Sequence, residues 1–105
     1  MQPTGGISFN PTAGSSNDAE LYLYGMVDQY GEINLRKVLD ALGKLHAGTT
    51  LHVHINSNGG SVFEGNAILN ALRNHKGKVH TYVDGVAASM GSVLFQAGHT
   101  RTMAD

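Results

Sequence analysis

The chain has 105 residues, 41% of them hydrophobic and 14% charged, with a formal net charge of −1. That length holds one domain and excludes two, and the charge balance offers neither the basic footprint of a nucleic-acid binder nor a polybasic membrane patch. The absence of cysteine excludes a disulfide framework, a thiolate nucleophile and a thiolate metal site, which fits a reducing, cytoplasmic setting.

Residues 1–18, MQPTGGISFNPTAGSSND, hold both prolines and show no sustained apolar period, so they read as a flexible N-terminal arm ahead of a domain over 19–105. ELYLYGMV then alternates Leu21 and Leu23 against Tyr22 and Tyr24, the period of a strand. INLRKVLDALGKLHAG spaces Leu35, Val38, Leu39, Leu42 and Leu45 as one face of a helix, with His46 near its end and Gly48 as its stop. TLHVHINS is a second strand, Leu51, Val53 and Ile55 on one face and His52 and His54 on the other, and it leads into a turn at Asn58-Gly59-Gly60. Ser61 and Glu64 have the spacing of a capping box, which predicts a helix from Ser61 to near Gly77. VHTYVDG is a third strand. A small, apolar helix follows, opened by Ser89 and closed near Gly98. No apolar run approaches the ~20 residues of a membrane helix, and no charged N-terminal segment leads into an apolar one.

Strands alternate with helices throughout, so the expected architecture is α/β: a parallel sheet with right-handed crossover helices. In such folds ligands collect at the carboxyl ends of the strands, where loops enter helices. Two junctions qualify: Asn58-Gly59-Gly60-Ser61, and Gly85-Val86-Ala87-Ala88-Ser89-Met90. The first turn of a helix leaves backbone N–H donors unpaired, and glycine or alanine keeps the approach clear. One N–H from each junction, converging on one oxygen, would form an oxyanion hole, with Ser89 as nucleophile beside the positive end of its helix. A serine that opens a helix is more often a cap than a nucleophile, so spacing alone leaves both readings open. The lysine of a phosphate-binding loop is missing after Gly59-Gly60, and Ala87 stands where a Gly-x-Ser-x-Gly elbow needs its first glycine. His52 and His54 form an i, i+2 pair without an obvious third ligand, which reads as a polar sheet face or a subunit contact; no metal or cofactor is expected.

INSNGGSVFEGNAILNAL followed by VDGVAASMGSVLFQAG resembles the paired signature of the Clp-type serine peptidases, the ClpP family, and its phage head-maturation branch in particular. Asn56, Ser57, Gly59 and Gly60 match the first block, with Asn58 where proline is usual. Ala87, Ala88, Ser89, Met90 and Gly91 match the second in full. The resemblance covers about residues 20 to 105, and the 29-residue interval from Gly60 to Ser89 agrees with it. It implies a ClpP/crotonase-like spiral, Ser89 as nucleophile, and the amides of Gly60 and Met90 as the oxyanion hole. It further implies an ATP-dependent serine endopeptidase acting on peptide or protein substrates, assembled as a homo-oligomeric ring, with an unfoldase or a phage capsid protein as possible partners.

The family's general-base histidine lies about two dozen residues beyond the serine, and its aspartate farther on; this chain stops 16 residues after Ser89. The expectation is therefore a domain truncated before its end and catalytically weak or inactive alone. His99, His75 and His80 all fall far from the two junctions along their elements. Two other classes compete: a non-catalytic assembly subunit, and a crotonase-like acyl-CoA enzyme, for which Glu64 is the nearby acid or base.

Overall fold

The alternation through residues 51–55 produces the strand it implies. In the computed structural model, which describes residues 6–10, 18–45, 48–88 and 90–103, Leu51, Val53 and Ile55 are fully buried and His52 and His54 stand on the opposite face. In chain order the elements are β1 (Gly6–Asn10), β2 (Asp18–Val27), α1 (Leu35–Leu42), β3 (Thr50–Gly60), α2 (Val62–Arg73), β4 (Val79–Ala87), α3 (Met90–Phe95) and β5 (Thr100–Met103). The five strands form one sheet in the order β1-β2-β3-β4-β5. β2 to β5 are mutually parallel, and β1 runs antiparallel to β2.

Sequential order has a geometric consequence. Each crossover advances one strand in the same direction, so right-handed connections put α1, α2 and α3 on a single face of the sheet. The core lies in that layer. Leu21, Leu23, Val53, Ile55 and Val79 from the strands meet Val38, Ile68, Leu72 and Leu94 from the helices. Val27 and Ile33 join it through an isolated parallel bridge that closes the loop between β2 and α1. A one-sided layer of this kind matches the spiral expected from the sequence.

Several boundaries differ from the sequence reading. The stretch read as an arm contains β1, which pairs with β2 from Gly6↔Tyr24 to Asn10↔Glu20. The first helix ends at Leu42, not Gly48, because Gly43 caps it by giving its N–H to the carbonyls of Leu39 and Ala41. Leu39, placed on the buried stripe, is 50% exposed, since Val38 and Ala41 take the inward direction. α2 stops at Arg73 with Asn74 as its cap, short of Gly77. The expected turn at Asn58-Gly59-Gly60 is the end of β3, held in the sheet by the pairings Met26↔Gly59 and Val27↔Gly60. Likewise β4 continues through Gly85 to Ala87. His46 lies outside the described residues.

Candidate active site

β3 and β4 are adjacent and parallel, so their carboxyl ends, Gly60 and Ala87, lie at the same end of the sheet. Gly60 closes β3 with φ 144°, and a methyl group there would overlap the carbonyl oxygen of Val27. Only glycine suits that backbone and that space. The next residue, Ser61, gives its N–H to the same Val27 carbonyl at 2.6 Å, which pins the entry to α2 against β2.

Met90 opens α3, the helix that packs across β3 and β4. Ser89, immediately before it, lies outside the described residues. Ala88 and Gly91 flank that position and both bear on one residue of β3. Ala88 donates its N–H to the Ser57 carbonyl at 3.1 Å, and a Cβ on Gly91 would come within 2.7 Å of the same oxygen. Gly91 therefore lets α3 approach the backbone of β3.

Ser57 is the residue that the sequence reading quoted without giving it a task. It is 2% exposed. Its hydroxyl donates to the Gly25 carbonyl at 2.6 Å and accepts the N–H of Gly59 at 3.0 Å. The side chain thus sets the course of the Gly59-Gly60 segment, while its carbonyl anchors the segment leading into α3. A buried serine inside an otherwise alternating strand, two residues before a glycine pair, is the sequence signal that marks it.

Glu64 has a different job from the one its spacing suggests. Ser61 accepts the Glu64 N–H at 3.2 Å, which is half of a capping box. The Glu64 carboxylate instead accepts the N–H of Leu35 at 2.7 Å, capping the neighbouring helix α1. At the end of β2, the Glu32 carboxylate accepts the Met26 N–H at 2.9 Å. That bond, and one to its own backbone, lower the pKa of Glu32 from 4.5.

The described histidines away from the junctions are all engaged. His99 Nδ1 accepts the N–H of Val79 at the amino end of β4, and His75 Nε2 donates to the Thr49 carbonyl at 2.6 Å, also at the amino ends of the strands. His80 bonds Thr100 and Thr102. Exposed apolar side chains gather instead at the carboxyl end of the sheet: Met26 is next to last in β2, Tyr30 lies in the loop after it, and Val62 and Phe63, the latter 92% exposed, begin α2.

A family model described as Clp protease matches residues 9–104. An ATP-dependent Clp protease proteolytic subunit from Bacteroides fragilis is 36% identical over 81 residues, covering 77% of this chain and 39% of the relative. The corresponding subunit from Bdellovibrio bacteriovorus is 52% identical over 48 residues, covering 46% of this chain and 23% of its own length. Among solved structures, a ClpP1 mutant from Listeria monocytogenes superimposes with a TM-score of 0.67 at 26% identity, over 75% of this chain and 46% of that one. The chain thus spans about two fifths of the length of the Bacteroides relative.

Proposed function

This chain belongs to the Clp protease family, and on that footing we propose that it carries the nucleophile and the oxyanion hole of an ATP-dependent, Clp-type serine endopeptidase of the cytoplasm. In this reading Ser89 attacks the scissile carbonyl. The amides of Gly60 and Met90 receive the oxygen as it gains charge, an interaction worth about 10²- to 10³-fold in rate per donor.

The observation that carries the reading is the double role of Ser57. One buried residue orders the glycine segment through its hydroxyl and the approach to α3 through its carbonyl. Two donors from separate crossovers can act on one atom only if their segments are fixed relative to each other, and Ser57 supplies that link. A crotonase-like acyl-CoA reading is less well supported, because the carboxylate it would use, Glu64, is committed to Leu35.

The described histidines are bonded elsewhere. Without a general base the serine hydroxyl keeps its proton, and losing the histidine of a serine triad costs on the order of 10⁶ in turnover. We therefore propose a weakly active or inactive segment, completed by a histidine and an aspartate of the family's later region and assembled as a ring of identical subunits on a protein substrate, with an unfoldase or a phage capsid protein as partner.

A fluorophosphonate probe tests this. Slow, substoichiometric labelling that disappears in Ser89→Ala supports both the nucleophile and the missing base. Rapid stoichiometric labelling would overturn the missing base, and labelling that persists in Ser89→Ala would overturn Ser89 as nucleophile.

A further inference from the structure

The sheet face turned away from the helices carries all three ion pairs found among the described residues, and each joins a histidine to a carboxylate: His52 to Asp18, and His54 to both Glu20 and Asp84. No lysine or arginine takes part.

His54 sits at the centre of this face. Tyr22, His54 and Tyr82 are in register on β2, β3 and β4. Their rings stack, the imidazole centroid 4.5 Å from Tyr22 at 14° and 4.6 Å from Tyr82 at 10°. That stack fixes the plane of the imidazole. Along the diagonal, Nε2 meets Glu20 Oε1 at 2.9 Å and Nδ1 meets Asp84 Oδ1 at 3.2 Å.

A ring protonated on both nitrogens donates to both oxygens, whereas a neutral ring donates to one and turns a lone pair on the other. The neighbours leave no easy escape. Asp84 already accepts the Tyr24 hydroxyl at 2.5 Å through its second oxygen, and the Tyr82 hydroxyl is bonded to His52 Nδ1 at 2.8 Å.

We propose that His54 is a proton-operated clasp that ties β2 to β4 across β3, closed when the ring carries both protons and open when it loses one.

The direction of the pH effect follows. Contacts made only by the protonated ring contribute stability on the acid side and lose it as pH rises, as long as both carboxylates stay ionised. His80 opposes it: burial, and then the charges of His52 and His54, lower its pKa, so it loses stability as pH falls. Tyr22 and Tyr82 stay protonated throughout, since burial, followed by Glu20, raises both pKa values, with Asp84 adding for Tyr22 and Asp18 for Tyr82.

Thermal melts of the full chain test the clasp. His54→Phe keeps a flat ring in the stack and removes the proton. Acidification from about pH 7.5 to about 5.5 is expected to raise the wild-type Tm by about 4 °C more than that of His54→Phe; equal shifts in the two would overturn the proposal. Asp84→Asn offers an amide N–H to the neutral ring, so its melts are expected to lose that difference, and a difference as large as in the wild type would count against it. Ring ¹⁵N spectra of the unaltered chain need no variant to fold. At about pH 5.5 both His54 nitrogens should resonate as protonated; one bare nitrogen there would refute the clasp.

Discussion

The carbonyl of Ser57 accepts the N–H of Ala88 at 3.1 Å, so the strand that ends in the glycine pair also holds the segment that leads into α3. The hydroxyl of the same residue bonds Gly25 and Gly59. Ser57→Ala keeps the carbonyl and strands the buried Gly59 N–H and the half-buried Gly25 carbonyl, a loss of about 2 kcal/mol. The expected readout is a fall in Tm of about 10 °C, measured by circular dichroism.

Gly60→Ala is expected to be more damaging, by about 3 kcal/mol or more, because it combines a left-handed backbone with overlap on the Val27 carbonyl. Gly48 gives the comparison. It has φ 90° but nothing within 4 Å of an added methyl, so Gly48→Ala should cost only about 1 kcal/mol. Urea titration of the two variants separates steric overlap from backbone strain.

Glu64→Ala removes the cap that α2 provides for α1. A loss of about 1 kcal/mol is expected, with faster amide exchange at Leu35 and unchanged exchange at Gly65, whose N–H bonds the Ser61 carbonyl. Were Glu64 an ordinary capping-box residue, α2 would be the helix to fray.

Glu32 predicts an acid-side effect. Its carboxylate is held ionised by the Met26 N–H, so its contribution is present above about pH 4.5 and is lost as pH falls through the lowered folded-state pKa. Glu32→Gln should lower the neutral plateau slightly and flatten the acid limb, its profile converging on that of the wild type near about pH 3, as read from denaturation midpoints between about pH 3 and 7.

The faces of the strands were legible because burial follows a period of two, and Leu51, Val53 and Ile55 needed no partner to be placed. What a neighbour decides was not legible. Gly59 and Gly60 look like a turn in isolation and become strand because Met26 and Val27 pair with them. Leu39 satisfies a helical period, yet α1 buries Val38 and Ala41 and leaves it half exposed. Val27 and Ile33 carry no period at all, since a single bridge across a loop brings them into the core. At the site, the two glycine-and-alanine junctions could be read from local chemistry. The use of Ser57 to join them depends on the register Ser57↔Ala87, a contact between residues 30 apart.

The sequential order of the strands gives the molecule the character of a staircase. Each tread rests on the one laid down just before it: Glu20 beside His52, His52 beside His80, His80 beside Thr100. Assembly can accordingly advance as the chain emerges, with no strand waiting for a distant partner.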